Sequence, residues 1–205
     1  MKKLSLQRVF FSKIYPTFKK LSELELHKGN LLIADPSILN DESFNRSIIL
    51  LTEHNHQSAV GFILNRPLKY TLNDVIPDIN CSFTVYQGGP VEQDNLYFLH
   101  RIPHLISDCI QISENVFWGG DFNILKNLLI NNAIKSTEIR FFLGYSGWSA
   151  DQLNDEIQNQ SWFVSKNDFE NIFSVDNESL WKNKLIQKGG EYKIWANAPR
   201  DIHLN

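Results

Sequence analysis

The sequence predicts a single α+β domain, and three observations carry that reading. Short β-type runs and amphipathic segments are mixed without the regular βαβ rhythm of a doubly wound sheet. The 205 residues include 42% hydrophobic and 21% charged side chains, enough apolar material for one sizeable core. Two cysteines, Cys81 and Cys109, are too few for a disulfide scaffold and lack metal-ligand spacing.

The formal net charge of −3 conceals an asymmetry. Residues 1–20 hold six Lys or Arg and no acid, which leaves 14 basic against 23 acidic residues in the remainder. Such a remainder is a poor match for the phosphate backbone of nucleic acid. In the basic start, Leu4, Val9, Phe10, Phe11, Ile14 and Phe18 alternate with the charges, and Pro16 interrupts any single helix. It reads as an amphipathic arm touching nucleic acid or an anionic membrane, or as a docked or frayed terminal helix. Residues 1–27 are accordingly set apart as a basic leader, with the domain over 28–205. No apolar run approaches the roughly 20 residues of a membrane span, and polar residues break any signal-peptide core. A reduced, cytoplasmic setting is the expectation.

The elements follow in order. Asn30–Ala34 reads as a strand ended by Asp35-Pro36. Ser47–Glu53 and Ala59–Leu64 form an antiparallel pair around the polar loop His54-Asn55-His56-Gln57. Asn65-Arg66-Pro67 closes the second of these, and Thr71 caps a short helix over Leu72–Ile76. Phe83–Tyr86 is a strand stopped by Gln87-Gly88-Gly89-Pro90. Asn95–Leu99, Cys109–Ile112 and Val116–Trp118 supply further strands. Asp121 starts a helix to about Ala133, with Phe122, Leu125, Leu128 and Leu129 on its buried side. Ile139–Leu143 is a strand, followed by the turn-like Gly144-Tyr145-Ser146-Gly147-Trp148. Ser149 with Gln152 fits a capping box opening a helix whose Leu153 and Ile157 face inward. Trp162–Val164 returns as a strand. Asn177 caps a last helix carrying Leu180, Trp181 and Leu185, stopped at Gly189-Gly190.

The motifs that could carry chemistry each meet a simpler explanation. Gly88-Gly89, Gly119-Gly120 and Gly144 with Gly147 could cradle phosphate, but neither the dinucleotide fingerprint nor the P-loop pattern is present. Asp121 and Asp151 also place carboxylates where an anion would sit, so tight turns are the preferred reading. Ser146 lies two residues after Gly144, as in a hydrolase elbow, but Trp148 occupies the position that needs the second glycine. Ser146 therefore reads as a turn residue. His54 and His56 could bind metal on a strand, yet they fall in a turn with no third ligand nearby. Asp151, Asp155 and Glu156 could divide acid and base roles only in a pocket that separates their pKa values, so a solvated face is preferred. Cys81 and Cys109 lack an activating base and read as inert thiols. No motif calls for a cofactor.

The ordered run of motifs resembles the YqgE/AlgH family of bacterial proteins. It comprises Lys28-Gly29-Asn30-Leu31-Leu32-Ile33-Ala34, Phe44-Asn45-Arg46-Ser47, Gly61-Phe62-Ile63-Leu64-Asn65-Arg66-Pro67 and Gly88-Gly89-Pro90-Val91. Leu99-His100, Trp118-Gly119-Gly120, Gly144-Tyr145-Ser146-Gly147-Trp148, Gln152-Leu153 with Glu156, Gly189-Gly190-Glu191-Tyr192 and Leu204-Asn205 continue it. The match spans about residues 28–205. Two positions depart from the pattern: Asp151 stands where the family usually has glycine, and Ile202 where proline is common. Asp151 is read as adding about 0.5 kcal/mol of helix-dipole stabilisation in a first helical turn. The resemblance implies a branched mixed β-sheet, partly closed into a small barrel and surrounded by helices. It implies no reaction, since family members are labelled uncharacterised or transcriptional regulators, the latter from a genetic link to alginate production.

Taken together, the residues point to a non-catalytic binding or regulatory protein. Its candidate ligand-binding surface gathers Asn65, Arg66, Gly88, Gly89, His100, Tyr145, Trp148 and Gln152, polar groups beside aromatic rings. The partner would be a small molecule or another protein, and the oligomeric state stays open. The rival is an enzyme in which His100, Arg66 and Glu156 converge in one pocket. A third reading, DNA binding through the leader alone, predicts strongly salt-dependent affinity.

Overall fold

The computed structural model describes residues 26–167, 172–173 and 177–198. The basic arm of residues 1–20, Ile202 and Leu204-Asn205 lie outside the described residues. Strands β1 (Leu31–Ala34), β2 (Ile48–His54) and β3 (Ser58–Ile63) come first, then β4 (Pro67–Thr71) and helix α1 (Leu72–Val75). Next are β5 (Thr84–Gln87), β6 (Val91–His100), β7 (Ile110–Ser113), β8 (Val116–Trp118) and α2 (Phe122–Ile130). The chain continues through β9 (Ile139–Ser149), α3 (Gln152–Gln158), β10 (Trp162–Ser165), α4 (Asn177–Lys188) and α5 (Tyr192–Ala196).

The α+β class holds, and the sheet is mostly antiparallel. Its path runs β10-β1-β2-β3-β9-β6-β8-β7, with β5 pairing β9 as a parallel branch and β4 pairing β5. The branch exists because β9 is eleven residues long and uses its two halves differently. Its first half pairs with β5 and β6, and its second half pairs Ser146–Ser149 with Ser58–Gly61 of β3. Side chains on a strand alternate between faces, so Phe141 and Phe142 enter different cores. Phe142 joins the cluster of β1, β2, Trp148, Trp162 and Trp181, whereas Phe141 joins that of Leu72, Val85, Leu125 and Leu129.

The expected barrel does not form. Closure would require the two end strands of the path, β10 and β7, to pair, but β10 pairs only with β1 and β7 only with β8 among the described residues. Just before β1, the Lys28 side chain reaches β7, donating to the Gln111 carbonyl at 3.0 Å. Leu31–Ala34 and Ile48–Leu51 are fully buried, which explains why these strands read as continuous apolar runs rather than as alternation.

Other expectations change as well. The preceding strand ends at Ile63, before Asn65-Arg66, and Pro67–Thr71 then forms an edge strand that the sequence reading does not include. The Gly144–Trp148 segment is strand rather than turn, and Ser146 is buried within it. Helix α2 ends at Ile130, and Phe122 at its start is exposed while Leu125 and Leu129 face the core. A short α5 follows the helix thought to be last.

Helix α3 begins two residues later than the capping box predicts, with Asp151 rather than Ser149 at its N-cap. Ser149 ends β9, and only its backbone N–H meets the box, donating to Gln152 Oε1 at 3.1 Å. Asp151 precedes the helix at φ +63°, in the left-handed region. Glycine reaches that region without Cβ strain, so aspartate here introduces strain rather than the expected dipole gain.

Candidate functional site

Three of the eight expected site residues, Gly88, Gly89 and Tyr145, sit where two stretches of chain cross. Gly88 and Gly89 pass directly over Gly144, Tyr145 and Ser146. The Gly88 N–H donates to the Leu143 carbonyl at 2.8 Å, and the Gly88 carbonyl accepts from Ile63 N–H at 2.9 Å and Ser146 Oγ at 3.0 Å. A Cβ on Gly88 would overlap the Gly144 carbonyl oxygen, and one on Gly89 would overlap the Tyr145 backbone. Gly144 itself lies at φ +70°, and a Cβ there would stand 2.7 Å from the carbonyl oxygens of Gly89 and Val91. The glycines permit backbone-to-backbone packing. Ser146 is spent on the same crossing.

Asn65 and Arg66 follow β3 and tie down the loop before β2. Asn65 Oδ1 accepts from Ile48 N–H at 2.9 Å, and its Nδ2 donates to the Arg46 carbonyl at 2.8 Å. The Arg66 guanidinium donates to the carbonyls of Ser43 at 2.6 Å and Asn45 at 2.9 Å. Burial lowers the Arg66 pKa, with nearby Asp41 opposing the shift. Arginine keeps its charge in any case, so this group is a fixed fork gripping backbone.

The loop so held delivers Phe44 to a pair of tryptophans. Phe44 stacks on Trp148 with ring centroids 6.1 Å apart, and meets Trp162 edge-on at 5.5 Å. Trp148 and Trp162 form their own edge-on pair at 6.1 Å. Both indoles are buried, and a buried indole N–H needs an acceptor. Glu156 of α3 provides it. Glu156 Oε2 accepts from Trp148 Nε1 at 2.9 Å and Trp162 Nε1 at 2.7 Å, while Oε1 accepts from Gln152 Nε2 at 3.0 Å. Gln152 in turn accepts from the Ser149 N–H and Oγ. The acid expected on a solvated face thus joins two aromatic side chains across sheet and helix. Charged hydrogen bonds of this type contribute about 1.5–3 kcal/mol each.

His100 stands apart from this network. It pairs with Ile139 at the start of β9, whereas Trp148 lies near the far end, roughly 30 Å along the strand at about 3.3 Å per residue. His100 is fully buried between Phe98 and Phe117. Its Nδ1 accepts from Ile102 N–H at 3.3 Å, which leaves Nε2–H to donate to the Gly119 carbonyl at 3.0 Å. Burial lowers its pKa, with the Gly119 contact opposing. This is a neutral imidazole with both nitrogens occupied. The structure therefore does not bring His100, Arg66 and Glu156 into one pocket. Tyr145 is also separate from the tryptophans, half-buried and edge-on to Tyr97 at 5.7 Å.

A cleft of about 230 Å³ adjoins the Trp148–Glu156 network. Its walls are the β2–β3 turn, with His54, Asn55 and His56, and the β9–α3 junction, with Ser149, Asp151 and Asn154. Asn55 is occupied in shaping the turn, accepting from Gln57 and Ser58 N–H and donating to Glu53. The side chains of His54, His56, Asp151 and Asn154 have no hydrogen-bond partner among the described residues. The sequence predicts both histidines in this turn, but His54 is the last residue of β2, paired with Ala59, and only His56 lies in the turn; the sequence gives no sign of the helix junction across from it. Among the described residues, no group of three or more His, Cys, Asp or Glu could hold a metal ion.

Two residues of this region escaped the sequence reading. Arg140 is buried, donates to the Leu64 carbonyl at 2.9 Å and lies 4.4 Å from the Tyr86 ring centroid. Its only signal was a charge inside the apolar run Ile139–Leu143. Trp162 was read as strand alone. Its indole, like that of Trp148, demanded an acceptor that local spacing could not identify.

Comparison with known proteins places this arrangement. A family model described as AlgH-like matches residues 31–193. A UPF0301 protein of Cytophaga hutchinsonii is 41% identical over 182 residues, covering 88% of this chain and 100% of the relative. A UPF0301 protein of Chlorobium limicola is 40% identical, covering 88% and 97%. The solution structure of the AlgH protein from Pseudomonas aeruginosa aligns with a TM-score of 0.68 at 23% identity, covering 88% of this chain and 98% of that one. A crystal structure of a Corynebacterium diphtheriae protein gives the same TM-score at 20% identity, covering 88% and 97%. The structural likenesses speak to the fold alone, but the family match and the 41% identity establish kinship: this chain belongs to the AlgH-like family.

Proposed function

We propose that this protein is a non-catalytic binding protein, regulatory in role, whose recognition surface is the cleft between the β2–β3 turn and the β9–α3 junction. One observation carries the reading. The polar groups of Asn65, Arg66, His100, Gln152 and Glu156 are already committed to internal partners, whereas those of His54, His56, Asp151 and Asn154 in the adjoining cleft have none among the described residues. An acid–base mechanism needs titratable groups within reach of one substrate. His100, Arg66 and Glu156 are engaged in separate places. Of the eight residues expected to bind ligand, Trp148 and Gln152 border the cleft through Ser149 and Leu153, and the glycine crossing with Asn65 and Arg66 fixes its frame.

The cleft suits a small polar ligand or a single side chain of a protein partner. A reducing cytoplasmic setting fits the two free cysteines, Cys81 and Cys109. No helix among the described residues is long and apolar enough to cross a membrane. The basic leader of residues 1–27 is treated as an appendage to the domain over 28–205, a division supported by the start of the family match at residue 31.

The test is a titration of the ¹⁵N-labelled full chain with a panel of polar fragments. Shifts centred on residues 54–58 and 149–154 are the expected result. Shifts centred on His100 or Arg66, with the cleft unmoved, would overturn the proposal in favour of the enzyme reading.

A further inference from the structure

A second site lies at the C-terminal end of α4, away from the cleft. Lys188, the last residue of that helix, projects its ammonium between two rings. Lys188 Nζ is 3.7 Å from the centroid of Phe163 on β10 and 3.9 Å from that of Tyr192 on α5. The rings are 5.9 Å apart and inclined at 59°. Tyr192 is anchored by its hydroxyl, which donates to Asp35 Oδ2 at 3.1 Å. Asp35 is itself fixed at the end of β1, where its Oδ1 accepts from Ser37 N–H. Two π faces therefore flank one cation, with the Asp35 carboxylate near enough to act on it electrostatically, the arrangement by which aromatic cages recognise organic ammonium ions.

The occupant differs from the cage in mobility. Phe163 and Tyr192 are half-buried in the core that surrounds β10, and Asp35 is held through a backbone contact. Lys188 as a residue is exposed, and Gly189 after it turns the chain away at φ +79°. A lysine stem has four rotatable carbons, so its head can leave without the backbone moving. Burial lowers the Lys188 pKa, with Asp35 opposing, which agrees with a desolvated and partly compensated ammonium. Burial together with Asp35 pushes the Tyr192 hydroxyl up to about 12, so the anchor stays protonated.

We propose that Phe163, Tyr192 and Asp35 form a binding site for organic cations, closed in the resting protein by the protein's own Lys188. A quaternary ammonium, or the basic side chain of a partner, enters by replacing the Lys188 head. The test uses the full chain and tetramethylammonium chloride, with sodium chloride at matched ionic strength as control. Ring proton shifts of Phe163 and Tyr192 report occupancy. Lys188→Ala and Lys188→Gln are expected to bind the probe at least tenfold more tightly than the parent, and adding Phe163→Ala is expected to abolish the gain. Tyr192→Phe retains the ring but not the anchor, and in the Lys188→Gln background it should weaken the gain without removing it. The glutamine variant keeps a helix-compatible stem and decides the matter where the alanine variant does not fold. Probe affinity equal to the parent's in the open variant, or a gain that survives Phe163→Ala, would overturn the proposal.

Discussion

The Trp148–Glu156–Trp162 network and the His54/His56 cleft share the end of β9 and the start of α3, yet their polar groups are in opposite states. In the network both indole N–H groups donate to Glu156 Oε2, and the glutamine beside that carboxylate is held by Ser149. In the cleft two imidazoles, a carboxylate and an amide have no partner among the described residues. Both regions contain residue types associated with chemistry. What separates them is whether the hydrogen-bonding capacity is already used, a property of the fold rather than of the residues.

The sharpest way to break the comparison is to strike the frame. Gly88→Ala places a Cβ against the Gly144 carbonyl, where two backbones would have to move apart. A loss above about 4 kcal/mol, seen as failure to fold, is expected. A folded variant of parental stability by chemical denaturation would remove the crossing from the account.

Glu156→Ala comes next. It leaves two buried indole donors without an acceptor and should lower unfolding free energy by about 3 kcal/mol. Glu156→Gln keeps one carbonyl oxygen and should lose less, about 1–2 kcal/mol. Equal losses for the two variants in urea melts would mean that the negative charge matters more than the hydrogen bonds.

His100 extends the contrast to pH. Its folded-state pKa is lowered by burial, so the unfolded chain takes up a proton first as pH falls from about 6.5. The stability contributed by neutral His100 is complete above that value and declines towards the lower folded-state pKa. His100→Gln should flatten this part of the stability–pH curve. An unchanged slope would mean that another group controls it.

The smallest effect belongs to Asp151. Its left-handed backbone favours glycine, so Asp151→Gly should raise stability by about 0.5–1 kcal/mol. Destabilisation in a thermal melt would show that the aspartate side chain contributes something that outweighs its strain.

Much of the fold could be read from the chain because burial and turn chemistry are local. Leu31–Ala34 and Ile48–Leu51 are apolar runs, the loop at His54–Gln57 is polar, and Asp121 caps α2 through Asn123 and Ile124 N–H. The failures came where a distant segment decides. Gly144 and Gly147 looked like turn residues because no local signal announces that Gly88 and Gly89 press on that strand. Pro67–Thr71 was hidden by its proline and its exposed Lys69 and Tyr70, features of an edge strand. The barrel failed for a reason of pairing, since the end strands β10 and β7 each pair on one side only and not with each other.

The candidate site was less legible than the fold. Sequence motifs gather Asn65, Arg66, Gly88, Gly89, His100, Tyr145, Trp148 and Gln152 into one surface, but they do not say whose hydrogen bonds are spent, nor that His100 and Tyr145 stand apart from the tryptophans. Trp148 and Trp162 each announced a need for an acceptor. Only the docking of α3 identified it as Glu156. Asp151 was misjudged because its backbone conformation, not its charge, dominates at that position.

The most direct test of the division between frame and cleft sets His56→Ala beside Glu156→Gln, measuring thermal stability and fragment binding by ¹⁵N spectroscopy. His56→Ala should keep its melting temperature within about 2 °C of the parent and lose the fragment shifts at residues 54–58 and 149–154. Glu156→Gln should melt several degrees lower and retain those shifts. Loss of fragment binding in Glu156→Gln at an unchanged melting temperature would contradict the account, because Glu156 would then be acting on the ligand rather than on the frame.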